Sequence, residues 1–223
     1  MSFSLIVPAA ANKPEYVDHL PPIFHLNEKG VPRCVEAILG LDTSIFTSIY
    51  VTILRVHDEL YGVAAMLKFQ LKRLGLDKAQ IVILENPTSS QAATIYETIK
   101  AKDITGPIFI KDADCVFNAE ILPINGVVVY PLEKLSKVNP QHKSYVAVDD
   151  MLYITNIIEK RIVDHYFNAG GYCFEDAETF CKYYQRFFGL SGLYLSHIVY
   201  SMLLDKYDFR PFIAESYQDL ELV

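Results

Sequence analysis

The sequence predicts an α/β sandwich on a mostly parallel sheet, and three observations carry that expectation. Short apolar or β-branched runs at residues 3–7, 81–84 and 106–110 lack polar alternation, as strands covered on both faces do. Between them lie segments with apolar residues at helical spacing, several closed by glycine, so strand and helix alternate through the first half of the chain. Strands joined through helices pair in parallel with right-handed crossovers. After residue 125 the pattern changes to a glycine-led strand and a hairpin, which predicts an antiparallel insertion. The expected fold is therefore a Rossmann-like three-layer sandwich, a single domain over residues 1–223.

In order, residues 3–7 form the first strand and run into the turn Pro8-Ala9-Ala10-Ala11-Asn12-Lys13-Pro14. Small side chains here allow close backbone approach to a phosphate, with Lys13 supplying positive charge; a tight turn that merely needs small residues explains them too. Residues 15–32 read as loop, and the helix Arg33–Leu39 ends at Gly40. The β-branched stretch 46–56 is the second strand, and 58–74 reads as one helix with Leu60, Val63, Met66, Leu67, Phe69, Leu71 and Leu74 on its apolar face, closed by Gly75. Residues 81–84 are the third strand. Thr88, Ser89 and Ser90 then stand where caps belong, before a helix from Gln91 to near Lys100.

In the second half, a strand at 127–130 follows Asn125-Gly126, and 144–150 with 152–160 form a hairpin turning at Asp149-Asp150. A strand at 168–174 is entered through Gly170 and Gly171, which either admit a ligand closely or satisfy positive φ. Helices at 175–188 and 193–204, a strand at 210–214 and a tail at 215–221 complete the chain.

Composition removes several functions. A net charge of -7 and a pI near 5.3 leave no basic stripe for a nucleic-acid backbone. No apolar run approaches the ~18 residues of a membrane span. The N-terminal run ends in Ala9-Ala10-Ala11 but has no basic segment before it, so it reads as a strand rather than a leader, in a cytoplasmic protein. Cys34, Cys115, Cys173 and Cys181 have no metal-binding spacing and read as reduced core residues. His57, His165 and His197 read as core or partly buried, and no serine-hydrolase, zincin or P-loop motif is present. The aromatic pairs Tyr183-Tyr184 and Phe187-Phe188 read either as core or as the interface of a homo-oligomer.

The one stretch that combines a buried strand with acid is Ile108-Phe109-Ile110-Lys111-Asp112-Ala113-Asp114. Ligands of open α/β sheets sit outside the carboxyl ends of the strands, where Asp112 and Asp114 fall. Residues i and i+2 of an extended chain project to one side, and two hard oxygens there suit Mg²⁺ or Mn²⁺ carrying phosphate. The alternative is a strand-end turn in which one Asp caps the next segment.

Several of these stretches, in this order and spacing, resemble the sugar-phosphate nucleotidyltransferases, a group with GT-A-like α/β folds that makes activated sugars and capsule precursors. Leu5-Ile6-Val7-Pro8-Ala9-Ala10 is similar to the family's first strand and nucleotide loop, which sets Pro8, Ala9, Ala10, Ala11 and Asn12 against the nucleotide. Thr88 to Thr94 is similar to the stretch that reads the base, with Gln91 as the reading residue. Residues 110–117 look like the metal strand: Asp114 matches the Mg²⁺ ligand, and Asp112 joins the nucleotide site. Asn156-Ile157-Ile158-Glu159-Lys160 resembles the Glu-Lys strand facing the acceptor phosphate, and 168–174 resembles the acceptor-pocket strand, implying Glu159, Asn168, Gly170 and Gly171 as acceptor residues. The family's second metal carboxylate comes late in the chain, where this sequence offers Asp219.

The resemblance implies transfer of a nucleoside monophosphate from a triphosphate to a small phosphorylated acceptor, for surface polysaccharide precursors. Mg²⁺ or Mn²⁺ would assist, with Lys13, Lys111 and Lys160 offsetting charge. The chain departs from the family at its nucleotide loop, which is usually Gly-rich with an Arg and followed by a Pro-Lys pair. Here the loop is Ala9-Ala10-Ala11-Asn12-Lys13, and the later stretch reads Leu20-Pro21-Pro22-Ile23-Phe24. Two other readings stay open: a glycosyltransferase of the same fold superclass using a nucleotide diphosphate sugar, and a nucleotide-binding protein that kept the fold and lost the chemistry.

Overall fold

The structure, a computed structural model, describes residues 2–11, 19–135, 143–190 and 192–220. The expected site residues Asn12 and Lys13 lie outside the described residues.

Eleven strands are described: β1 (Ser4–Pro8), β2 (Ser48–Leu54), β3 (Ala79–Leu84), β4 (Ile108–Lys111), β5 (Cys115–Asn118), β6 (Gly126–Pro131), β7 (Ser144–Val148), β8 (Ile154–Glu159), β9 (Tyr166–Phe174), β10 (Arg210–Ile213) and β11 (Ser216–Asp219). The helices are α1 (Arg33–Leu39), α2 (Arg55–Tyr61), α3 (Val63–Arg73), α4 (Gln91–Lys102), α5 (Ala177–Gln185) and α6 (Leu195–Leu204). The main sheet runs β10-β6-β9-β4-β1-β2-β3, with β7 joined to β9 and β8 to β7. β4, β1, β2 and β3 pair in parallel, β9 runs against β4 and β6, and the β7–β8 hairpin is the antiparallel insertion.

Alternation along the strands builds the three layers. Leu5 and Val7 of β1 and Phe109 of β4 face a core shared with Val35, Ile38, Val63 and Leu67 of α1 and α3. Ile6 of β1 and Ile108 and Ile110 of β4 face the opposite core, with Ala92, Ile95, Phe180 and Ile198 of α4, α5 and α6. Both faces are dry because each strand side chain meets a helix, which is why these strands lack polar alternation.

Several boundaries differ from the sequence reading, among them the start of β9 at Tyr166 and the strand β11 where a tail was expected. The helix expected at 58–74 is two helices, because Gly62 takes a left-handed φ of 65° and its N–H closes onto the Asp58 carbonyl. The Asp58 carboxylate then accepts the Ala64 N–H at 2.8 Å, holding the start of α3. The second strand stops at Leu54, and Arg55 and Val56 open α2. α5 begins at Ala177, capped by Asp176, and ends at Gln185, with Phe188 beyond it 75% exposed while Tyr183 and Tyr184 are core. All four cysteines are buried and unbridged. His57 is buried, whereas His165 and His197 are exposed; the His197 ring instead accepts the Tyr194 N–H at the start of α6.

The acidic stretch does not continue as one strand. The chain leaves the main sheet at Asp112, turns through Ala113 and Asp114, and re-pairs as β5 with β11 in a separate two-stranded sheet. Lys111 makes that turn. Its side chain is fully buried, and its ammonium donates to the Asp112 carbonyl at 2.7 Å, the Cys115 carbonyl at 2.8 Å and the Cys115 sulfur at 3.0 Å. The Phe117 ring lies 4.5 Å from the same ammonium. An ammonium has three N–H donors and all three are spent, as burial demands. Cys115 passes the link on, its thiol donating to the Ala169 carbonyl at 3.2 Å.

β9 meets this turn through a bulge. The β6–β9 register slips between Val127 and Val129, and Gly170 there has a φ of 87°. Its carbonyl accepts the Asp112 N–H at 2.8 Å, while an added Cβ would sit 3.0 Å from Asp112 Oδ2. Gly171 faces away from the lip: a Cβ there would meet Val128 at 2.5 Å and Phe117 at 2.8 Å.

Lys111→Met should cost about 2–4 kcal/mol in urea unfolding, because it strips two backbone carbonyls of a charged donor in a dry site. Gly171→Ala should cost about 1–3 kcal/mol by overpacking the Val128 and Phe117 contacts.

Candidate functional site

The carboxyl ends of β1 and β4 open into a cleft of about 630 Å³. It is lined by Pro8, Ala10 and Ala11 from the first turn, by 88–91 before and at the start of α4, and by the 112–115 turn. Lys143, Ser144 and Glu159 from the hairpin, 168–170 and Tyr172 from β9, and Tyr217 and Asp219 from β11 close the other side. Every segment that the sequence singled out at a strand end contributes, since parallel strands deliver their carboxyl ends to one edge.

The α4 end is fixed by its cap. Ser90 accepts the Ala93 N–H at 3.2 Å, and Thr88 shares a 2.6 Å hydrogen bond with Thr94. Gln91 is thereby held over the lip, where its amide nitrogen donates to Asp112 Oδ1 at 2.5 Å.

Asp219 reaches the acidic turn through β-pairing. It lies opposite Cys115 in the β5–β11 register, and the next residue, Leu220, donates its N–H to the Asp114 carbonyl at 2.8 Å. Two residues apart on β11, Tyr217 and Asp219 share a side, and both accept from Lys143, at 2.6 Å and 2.7 Å. Burial, aided by the neighbouring Asp112 and Asp219 charges and opposed by Lys111 and Lys143, pushes the Asp114 carboxyl up to about 6. Burial and the surrounding carboxylates also push the Tyr217 phenol up, so it stays a neutral donor and acceptor.

Glu159 is pinned by two hydroxyls, accepting from Ser144 at 2.5 Å and from Ser196 at the start of α6. Asn168 is turned inward to accept the Gly170 N–H at 2.9 Å. Tyr172, buried beside them, has its phenol raised by burial and by the Asp112 and Glu159 charges.

The sequence expectations sort as follows. Pro8, Ala10, Ala11, Gln91, Asp112, Asp114, Glu159, Asn168, Gly170 and Asp219 come together around the cleft. Ala9 is fully buried in the core behind it, and Gly171 packs against Val128, Phe117 and Phe109 of that same core. Lys111 corrects the reading of a phosphate-facing charge: it lies beneath the lip with its donors spent. Lys160 stands outside the lining, its ammonium 5.3 Å from the centre of the Tyr194 ring. Lys143 was missed, because a lone lysine ahead of a strand has no pattern to betray it. Tyr217 had a signal, the i, i+2 spacing to Asp219 on one extended segment.

Among the described residues no three His, Cys, Asp or Glu side chains converge as a metal cage. Asp114 and Asp219 nevertheless fit a Mg²⁺ or Mn²⁺ shared with substrate, since such ions take one or two carboxylates and fill the remaining positions with phosphate and water. The Asp114 carboxyl is raised chiefly by burial, and a bound cation would favour its ionised form.

No protein-family model matches the chain, and no curated protein matches it. Solved structures do. The nucleoside-diphosphate-sugar pyrophosphorylase of Vibrio cholerae RC9 superposes with a TM-score of 0.73 at 14% identity, over 95% of this chain and 91% of that one. The inositol-1-phosphate CTP transferase of T. maritima gives 0.74 at 14%, over 97% and 88%. A UDP-glucose pyrophosphorylase solved with UDP-glucose gives 0.71 at 11%, over 99% and 94%. Among the described residues no helix is long and apolar enough to cross a membrane. With likeness this low in sequence and this complete in structure, what is established is the fold: the chain is built on the α/β scaffold of the sugar-phosphate nucleotidyltransferases.

Proposed function

We propose that this chain is a single-domain, metal-dependent nucleotidyltransferase that moves a nucleoside monophosphate from a triphosphate to a phosphorylated sugar or related small phosphate, releasing pyrophosphate. The observation that carries the reading is the cleft itself, whose lining brings Gln91, Asp112, Asp114 and Asp219 together with Glu159 and Asn168. An acidic wall suits a polyphosphate that arrives with cations, and a carboxylate held by hydroxyls suits hydroxyl groups of an acceptor. The activities named for the superposed structures point the same way.

In this reading an oxygen of the acceptor phosphate attacks the α-phosphorus in line. A new P–O bond forms as the bond to pyrophosphate breaks, and no covalent enzyme intermediate is needed. Pro8, Ala10 and Ala11 permit close backbone approach to the nucleotide, and Gln91 reads the base. One of its amide N–H groups is given to Asp112, which leaves the other N–H and the carbonyl oxygen to meet a base edge. Glu159, Asn168 and Gly170 hold the acceptor. Asp114 and Asp219 would hold Mg²⁺ or Mn²⁺, which supplies charge to offset the triphosphate. Such a product is a precursor for surface polysaccharide, and the enzyme would work in the cytoplasm, where nucleoside triphosphates are. Tyr183 and Tyr184 are spent in the core, so a homo-oligomer would have to use other surfaces, such as that around Phe188.

The test is a thermal-shift panel of the four nucleoside triphosphates with and without Mg²⁺, followed by pyrophosphate-release assays over sugar phosphates. A Mg²⁺-dependent shift for one triphosphate, with turnover on an acceptor, is expected. A shift without turnover on any acceptor would favour the degenerate binding protein, and a shift only with nucleotide diphosphate sugars would favour the glycosyltransferase.

Asp114→Asn should lower turnover about a hundredfold or more by removing a metal oxygen. The same change should stabilise the metal-free protein. The folded carboxyl is raised to about 6 from 3.8, so the group's contribution is most favourable below the unfolded value and is lost as pH rises through 6. The variant's gain is therefore expected at pH 8, on the order of 1–2 kcal/mol or about 3–6 °C, and should vanish near pH 4. For the same reason Mg²⁺-dependent binding of the triphosphate should weaken as pH falls below 6, because the proton and the cation compete for one oxygen.

A further inference from the structure

Among the described residues Lys143 is the only lysine or arginine lining the cleft, and it stands amid four carboxylates there, Asp112, Asp114, Glu159 and Asp219. Its ammonium bonds Asp219 Oδ2 at 2.7 Å and the Tyr217 hydroxyl at 2.6 Å. The two side chains of the ion pair are 19% and 18% exposed, so solvent screens them only in part. The site is built around the lysine: the Tyr217 ring lies 5.1 Å and the Phe167 ring 5.9 Å from its ammonium, and Tyr217 is itself packed on Tyr130 and Phe167. An ammonium is thus seated on one of the two oxygens that a divalent cation would need.

We propose that Lys143 is a resident counter-cation of the metal end of the cleft, holding Asp219 in the free protein and passing to a substrate phosphate when a divalent cation takes the carboxylate. The inference rests on the nucleotidyltransferase reading for the second half of that exchange only. Charge favours the exchange: a dication and an ammonium held on the one Asp219 carboxylate repel each other at close range, and the displaced ammonium is drawn to the phosphate that arrives with the metal. Lys143 then supplies cleft charge that Lys111, with its donors committed beneath the lip, does not. The pairing with Tyr217 gives the lysine a second anchor, so that on release it stays at the wall of the cleft.

The experiment is Mn²⁺ titration of the nucleotide-free protein by calorimetry, comparing the wild type with Lys143→Met and Lys143→Arg. Lys143→Met should bind Mn²⁺ about tenfold more tightly, having lost the competitor, while Lys143→Arg should stay near the wild type. With saturating Mg²⁺ and triphosphate, Lys143→Met should lose about a hundredfold in kcat with a smaller change in KM. A merely structural lysine would weaken metal binding and turnover together. Equal or weaker Mn²⁺ binding in a Lys143→Met protein that melts cooperatively overturns the proposal, as does absence of Mn²⁺ binding in all three proteins. A measurement on the wild type alone guards against a variant that does not fold: pulsed acylation of amines, read by mass spectrometry, should label Lys143 several-fold faster with Mn²⁺ than without. Unchanged labelling overturns the exchange. Because neither Mn²⁺ readout needs turnover, tighter binding in Lys143→Met with no activity on any acceptor would uphold the counter-cation and count only against the proposed reaction.

Discussion

A buried ammonium beneath the sheet's edge is the interaction on which this cleft depends. Without Lys111 the chain leaving β4 would present the carbonyls of Asp112 and Cys115 to a dry interior with no charged donor. With it, a strand that should run straight on is folded back within four residues, and Asp112 and Asp114 are left at the lip. Desolvating a lysine is expensive, and complete satisfaction of its donors is the condition under which a fold tolerates it. The link extends through the Cys115 thiol to Ala169, so the turn, β5 and the bulge of β9 are tied together.

The scaffold was legible because its strands are dry on both faces and its helices are punctuated by glycine. The acidic lip, the Ser90 cap and the glycine pair of β9 could be placed for the same reason: each is a local pattern with a local cause. What could not be read was orientation at the lip. Lys111 and Asp112 are neighbours in sequence, yet one is wholly inside and the other faces the cleft, because the chain leaves the sheet between them. Gly170 and Gly171 divide likewise, one against Asp112 and one against Phe117, since adjacent residues of a strand face opposite layers. The single helix expected over 58–74 failed at Gly62, where periodicity continues through the break but the backbone does not. Lys143 was invisible for a different reason, as its partners Tyr217 and Asp219 come from the other end of the chain.

The cleft is electrostatically lopsided. Carboxylates from the 112–114 turn, β8 and β11 face it, with Gln91 donating to Asp112, Ser144 to Glu159 and Lys143 to Asp219. Burial makes the ionised form of Asp114 costly in the resting protein, which raises its carboxyl. A ligand that brings positive charge would recover part of that cost, which a neutral one of the same shape would not.

The two-stranded sheet of β5 and β11 has a consequence for the order of folding. Cores on both faces of the main sheet are formed largely by residues that precede β10, whereas Asp219 joins Asp114 only when β11 pairs with β5. In folding, residues that precede β10 can collapse first, and until β11 pairs the acidic turn lacks Asp219 beside it. Completion of the acidic cleft is therefore gated by a four-residue strand that adds little to the bulk of the core.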